Sequence, residues 1–509
     1  MCAAPTSAED PWQNALEAWR DELNITGIQA TVILADGRTI TRTGGVAHEN
    51  ATVEPDTVFE TGSITKSYTA ALALRLVEQG AMSLDGTVGE LLPTLQVEPR
   101  ISLRQLLNHT SGLYNVSSHP GYLPAQLAEP SKAWTPEDNL AFLDASYFPP
   151  GAGWRYSNTN YIIAGLMIEA AAGETVGTLL RREILEPEAL RHTLFGAEHS
   201  LPPGRAHAFI DIQGDDEPED ITAAMPATAF LSSAWTAGAV LSTSAELALW
   251  MRRLHSGQVL EPESYREMTR FVARPDGMQY GLGVLRMERD GELWLGHKGN
   301  SAGFSGAAWH LPTAEVTVSV LTNAHLIDVQ PITDALVAVA SGRTPLLPQL
   351  ESPRETMAVD RMRSSELAAA AGALLADERA QDAIEVLEKA IELEPDDPDL
   401  RALLGDACVK AISPGSPVKA FKLGKRAQAE YQIALDHAPQ HLGARMGLLR
   451  FYLGAPAIIG GSTGKALEQA EILEGFDKKA AWHAYKVIYA HLGETAKAAE
   501  YEKKLSTLE

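Results

Sequence analysis

Cysteine is almost absent: Cys2 and Cys408 are the two in 509 residues. They fall in what the sequence reads as different domains, so a stabilising disulfide is not expected and metal clusters built on cysteine are excluded. Long apolar runs are missing too. No stretch of about 18 apolar residues occurs, which excludes a membrane-spanning helix. Positive charge is scarce, with 42 Lys and Arg against 66 Asp and Glu. Of the net −24, residues 1–345 carry −19 and the remainder −5. Such a surface offers phosphates nothing, so nucleic acid is not a partner. Low-complexity tracts are lacking as well. What remains is a globular composition, 45% hydrophobic and 21% charged, in a chain too long for one ordinary core.

The first residues, Met1-Cys2-Ala3-Ala4-Pro5, lead into a polar stretch. That start fits a mature bacterial lipoprotein acylated on Cys2 and held in the periplasm or cell envelope. A cytoplasmic start with an incidental cysteine is the alternative.

Periodicity divides the chain. A helix is expected over residues 11–24, then a hairpin in which Gln29–Leu34 and Thr39–Thr43 flank an Asp36-Gly37 turn. Helical patterns dominate from 63 to about 255, for example Tyr68–Gln79 and Tyr161–Ala172. Strand signals return at Leu293–Gly296 and Glu315–Leu321, and a helix follows over about 332–340. Strands at both ends with helices between imply one sheet built from sequence-distant segments. The reading is an α/β domain over 1–345, a Pro-containing linker over 346–363, and an all-α domain over 364–509.

The last part repeats. Ala371, Ala383, Ala390 and Pro395 are spaced 12, 7 and 5 apart, and Ala427, Ala434 and Pro439 reproduce the 7 and 5 after an insertion around Ser413–Pro417. Gly405 and Gly447 follow the two prolines at similar offsets. The pattern resembles the tetratricopeptide repeat, a helical hairpin in which small residues let two helices approach. A protein partner, or self-association, is the role such a stack implies; a scaffold that only orients the first domain is the alternative.

Candidate chemistry lies in the first domain. Ser63 and Lys66 stand one turn apart in Phe59-Glu60-Thr61-Gly62-Ser63-Ile64-Thr65-Lys66, at the start of a helix. A serine hydroxyl attacks poorly until a base takes its proton, and a desolvated lysine can be that base. The spacing alone is weak, since Ser416/Lys419 and Ser462/Lys465 share it. Three further segments distinguish the first pair: Leu106-Leu107-Asn108-His109-Thr110-Ser111-Gly112-Leu113, Tyr156-Ser157-Asn158, and His297-Lys298-Gly299-Asn300. In this order they resemble the serine β-lactamase and penicillin-recognising hydrolases of the class C, D,D-peptidase and esterase branch, over about residues 10–342.

The resemblance implies an antiparallel sheet flanked by helices, with an inserted helical region. It implies Ser63 as the acylated nucleophile, Lys66 as its base or proton partner, and Tyr156 as a proton shuttle. Asn158 would hold Lys66 and the substrate amide. His297 would align substrate and add positive field, and the backbone N–H groups of Ser63 and Asn300 would form the oxyanion hole. No metal or cofactor is implied. Lys298 stands where the family usually has Thr, which puts hydroxyl-mediated binding of a substrate carboxylate in doubt. Amide or peptide hydrolysis of the D,D-peptidase or D-aminopeptidase kind is expected first, carboxylester hydrolysis second and β-lactam hydrolysis third; a non-enzymatic sensor or scaffold is the remaining alternative. Whether Lys66 or Tyr156 is the base stays open at this level.

Other residues have plainer readings. His109 is expected to be structural, bonded to backbone near the Ser63 helix, and Trp154 and Trp235 to line the cleft or fill the core. Gly299–Gly303 matches a nucleophile elbow around Ser301, but a strand rather than a helix is expected to follow. Gly460–Lys465 suggests a phosphate loop, yet lacks its first Gly and its Ser/Thr.

Overall fold

The computed structural model describes residues 10–348, except 50, 120, 199, 211–217, 223–226 and 276. Beyond these it describes 371, 375, 380–393, 397–412, 417–456 and 460–506. Cys2, Pro395, Ser416 and nearly all of the expected linker lie outside the described residues. Contacts separate two compact units: the described residues up to 348 fall in the first, and those from 371 onward in the second.

The first unit is built on nine antiparallel strands. In chain order they are β1 (Gly27–Ile33), β2 (Thr39–His48), β3 (Ala51–Thr52), β4 (Val272–Ala273), β5 (Gln279–Tyr280), β6 (Leu285–Arg289), β7 (Glu292–Ser301), β8 (Phe304–Leu311) and β9 (Val316–Thr322). Their order across the sheet is β3-β2-β1-β9-β8-β7-β6-β5-β4. The hairpin expected at Asp36-Gly37 joins β1 to β2, with Ala30 opposite Arg42. The N-terminal and C-terminal strands therefore meet at β1 and β9, and the helical region lies between β3 and β4 in sequence.

Alternation along β1 and β9 shows why both faces are covered. Ile28, Ala30, Val32, Val318 and Val320 are buried with Leu16, Ile332 and Leu336 of helices Pro11–Glu22 and Gln330–Ala340. Each fully buried aliphatic side chain contributes roughly 1.5–3 kcal/mol. The alternate residues, Gln29, Thr31, Thr317 and Ser319, are polar and also buried. Three of them meet helix Ser244–His255: Gln29 Oε1 accepts from Ser244 N, Thr31 Oγ1 and Ser244 Oγ are 2.7 Å apart, and Ser319 Oγ donates to Ser244 O; Thr317 Oγ1 lies 2.8 Å from His310 Nδ1 on β8. A buried polar face is stable only when every group is bonded in this way.

In the second unit, helices run from Ala380–Leu393 to Thr495–Ser506. Ala371, Ala383, Ala390, Ala427 and Ala434, the small residues of the repeat pattern, are all fully buried. Gly405 and Gly447 both face the ring of Tyr431: a Cβ would come within 2.6 Å and 2.4 Å of it. One tyrosine between two glycines thus explains two of the repeat positions. No single helix among the described residues is long and apolar enough to cross a membrane.

Candidate active site

Ser63 lies in a 3-10 turn, Gly62–Ile64, that runs directly into helix Thr65–Glu78. The turn requires glycine just before the serine. Gly62 has φ +52°, and a Cβ there would sit 2.5 Å from Asn300 O, so the two backbones touch. The helix N-terminus presents N–H groups and positive potential at Ser63. The helix itself is fixed by a stacked Tyr68–Trp250 pair, with ring centroids 4.3 Å apart, and by Trp250 Nε1 donating to Ser67 Oγ.

Lys66 projects from the first turn of that helix and is fully buried. Its Nζ is 3.0 Å from Ser63 Oγ, 2.8 Å from Asn158 Oδ1 and 2.7 Å from the carbonyl oxygen of Ala237. Burial without a carboxylate partner pushes its pKa well below the ordinary value of 10.5. The Tyr156 hydroxyl donates to Ser63 Oγ at 2.8 Å. Desolvation raises the pKa of this phenol, so it stays protonated at neutral pH. Ser63, Lys66, Tyr156 and Asn158 thus meet around one hydroxyl.

The segment around His109 holds the second motif in place. His109 Nδ1 accepts from Ser157 N at 3.3 Å and lies 3.0 Å from Asn160 Nδ2, and its backbone oxygen accepts from Arg155 N. Its ring packs against Tyr156 with a centroid separation of 4.4 Å. Burial and the nearby Lys66 hold it far below the usual histidine pKa, so it is neutral. His109 is structural as expected, but it supports Tyr156–Asn160 rather than the Ser63 helix. Asn158 N donates to Asn115 Oδ1, and Asn158 Nδ2 donates to Ser117 Oγ at 3.0 Å. The amide expected to reach substrate is therefore bonded to Ser117.

His297 is enclosed rather than open to solvent. It is buried at 3% exposure, its Nδ1 contacts Lys298 O, and its Nε2 is 2.9 Å from the Tyr280 hydroxyl. Nδ1–H donates to the carbonyl, and Nε2 accepts from the Tyr280 hydroxyl when the ring is neutral. Desolvation, reinforced by Lys66, lowers its pKa to about 3. It therefore adds no positive field at neutral pH. Lys298, at the family's Thr position, is 3.3 Å from Asp328.

Ser301, the elbow candidate, ends β7 and is followed by β8, not by a helix. Its hydroxyl donates to Glu60 Oε2 at 2.8 Å. Trp154 packs between His109 and Tyr280, with the Arg274 guanidinium 4.8 Å over its ring, and Trp235 is buried beside Gly165. Ser462 caps helix Thr463–Glu474, an ordinary helix start and not a phosphate loop.

Sequence reasoning missed the Ala237 carbonyl, Asn115, Ser117 and the role of Glu60. A backbone carbonyl leaves no signal in residue type. Asn115 and Ser117 directly follow Leu106–Leu113, so proximity to that segment was the available cue.

Glu60 is 7% exposed, and burial raises its pKa to about 7. The folded state then binds more protons than the unfolded chain between about pH 4.5 and 7, so stability falls as pH rises through that window. The full penalty above pH 7 is up to about 3 kcal/mol. In Glu60→Gln this term should be gone: relative to wild type, the variant gains stability from pH 5 to pH 8 in urea melts. Parallel pH profiles for the two proteins would contradict the assignment.

The comparisons agree with the geometry. The family model described as Beta-lactamase matches residues 12–340, and one described as Tetratricopeptide repeat matches 374–411. The chain is 27% identical over 343 residues to penicillin-binding protein 4 of Amycolatopsis lactamdurans, covering 61% of this chain and 84% of that protein. It is 25% identical over 338 residues to a D-aminopeptidase of Gluconobacter oxydans, covering 64% and 61% respectively. Among solved structures, a D-stereospecific amidohydrolase from Streptomyces sp. superposes with TM-score 0.57 at 30% identity, covering 64% of this chain and 97% of that one. With a buried lysine and a phenol converging on one serine hydroxyl, and a family match spanning most of the chain, this protein belongs to the β-lactamase family and is a serine hydrolase.

Proposed function

We propose that the protein hydrolyses amide bonds next to D-residues in short peptides, through an acyl-enzyme on Ser63 with Lys66 as the base. The observation that carries this is the set of partners around Lys66 Nζ. Asn158 Oδ1 and Ala237 O can only accept, so they take two N–H donors. A neutral amine has two, which leaves its lone pair for the Ser63 hydroxyl 3.0 Å away. Tyr156 donates to the same oxygen and is protonated, so it serves as the acid.

In this scheme Ser63 O–H gives its proton to Lys66 Nζ while Oγ attacks the amide carbon. The oxyanion is held by Ser63 N–H and Asn300 N–H, donors of a kind worth about 3–4 kcal/mol of barrier. Tyr156 protonates the departing amine as the C–N bond breaks; in deacylation the phenolate takes the proton of the attacking water, and Lys66 returns its proton to Ser63 Oγ as the ester C–O bond breaks. The D-residue preference draws support from the D-aminopeptidase and D-stereospecific amidohydrolase among the similar proteins.

The neutral, fully engaged His297 bears on the substrate's far end. It offers no cation to a terminal carboxylate, and Lys298 is drawn to Asp328. Aminopeptidase or amidase action is therefore favoured over carboxypeptidase action. D-Alanyl-D-alanine amide and the free acid should be cleaved with kcat/KM values within about threefold of each other. A preference of a hundredfold for the free acid would return the case to D,D-carboxypeptidase action. Assays on p-nitrophenyl butyrate and nitrocefin place ester and β-lactam hydrolysis on the same scale. For the repeats we propose a protein partner on the helical stack, the role such surfaces commonly serve.

A further inference from the structure

Glu60 takes no part in the chemistry above, yet its carboxyl is buried three residues before the nucleophile. It belongs to a short strand, Phe59–Glu60, paired with Val240–Ser242. Thr61 continues that attachment through its N–H and Oγ1, both donating to Val240 O. The nucleophile segment is thus anchored to residues 240–242. Asn300 belongs to a different assembly, the β7–β8 ladder, where it lies opposite Ser305. The two segments lie far apart in the sequence, and their backbones touch at Gly62 and Asn300. The side-chain bond that joins them is Ser301 Oγ to Glu60 Oε2 at 2.8 Å.

We propose that Glu60 is a positioning residue: by holding Ser301 it fixes the Asn300 N–H against the Ser63 N–H and so sets the geometry of the oxyanion hole. The proposal rests on reading those two N–H groups as the oxyanion donors. A carboxyl is costly to bury here, and an apolar residue would fill the same space without that penalty. Arg205 is the charged group that opposes it. The cavity bounded by Glu60, Arg205, Ala302 and Phe304 encloses about 10 Å³, the lower limit for one water and far too small for substrate. Glu60 therefore acts through Ser301 and not on the reacting atoms. Because an oxyanion donor must lie within a few tenths of an ångström of its target, a tie at the adjacent residue is felt in the chemical step more than in binding.

The test uses the full chain and four variants: Ser301→Ala, Ser301→Thr, Glu60→Leu and the Ser301→Ala/Glu60→Leu double. Steady-state kinetics on p-nitrophenyl butyrate are combined with intact-mass measurement of fluorophosphonate adduct, so that rates are expressed per labelled site. Ser301→Ala and Glu60→Leu should each lower kcat about tenfold with KM within about twofold, because the lost term belongs to the transition state. The double variant should be no slower than the slower single, since both remove one interaction. Ser301→Thr keeps a hydroxyl and should stay within about threefold of wild type. If Glu60→Leu fails to fold, the Ser301 pair decides. Wild-type kcat per labelled site in Ser301→Ala, or a loss confined to the labelled fraction, would overturn the proposal. Absence of any Ser63 adduct in the wild-type protein would instead overturn the nucleophile reading on which it rests.

Discussion

Replacing Ser63 by Ala is expected to remove turnover, with kcat falling roughly 10⁴–10⁶-fold and the melting temperature almost unchanged. The size follows from the geometry. Ser63 Oγ is the single atom to which both Lys66 Nζ and Tyr156 OH are bonded, so without it the base and the acid have nothing to act on. Stability should hardly move, because Ser63 is partly exposed and its backbone, not its side chain, shapes the turn after Gly62. Active-site residues that function as a unit are strongly non-additive, so Ser63→Ala/Lys66→Met should be no slower than Ser63→Ala. Initial rates on the best amide substrate, read against a heat-inactivated control, provide the check.

The second large effect concerns the base. Lys66→Arg keeps a positive charge and a long stem but cannot surrender its proton in a protein. If Lys66 merely supplied charge, the arginine variant would retain much of the activity. As the base it must be neutral, so Lys66→Arg and Lys66→Met should both lose about 10³-fold or more in kcat/KM. The pH profile carries the same claim. Burial lowers the lysine pKa, so kcat/KM should fall as pH drops through that lowered value and reach its plateau well below pH 10.5. An active Lys66→Arg variant, or an acid limb placed at the pKa of an ordinary lysine, would assign the base to Tyr156 instead.

The strands and helices that carry strong periodicity were legible in the sequence. The β1–β2 hairpin around Asp36-Gly37, the helix after Ser63 and the Val-rich β9 lie where pattern put them, within three residues at the ends except that β2 runs five residues further, to His48. One boundary shifted through a long-range partner: the helix starts at Asn158, three residues before its apolar period begins at Tyr161, and the Asn158 N–H donates to Asn115 Oδ1 rather than to a cap of its own. The grouping of Ser63, Lys66, Tyr156 and Asn158 was legible through their motifs. The state of His297 was not. Its residue type and position suggested a cation, whereas its protonation is decided by burial and by the Tyr280 hydroxyl, neither of which a linear motif records. The same holds for Glu60, whose partner Ser301 lies 241 residues away. Long-range side-chain bonds and backbone acceptors such as Ala237 O set the electrostatics of this site, and they appear only once the chain is folded.

The central claim is that one hydroxyl, at Ser63, receives the acyl group. Incubation with a fluorescent penicillin or a fluorophosphonate, followed by intact mass and peptide mapping, tests it most directly. One adduct per chain is expected, on the peptide containing Ser63, formed more slowly in Lys66→Met. An adduct on Ser301, or undiminished turnover by Ser63→Ala, would contradict it.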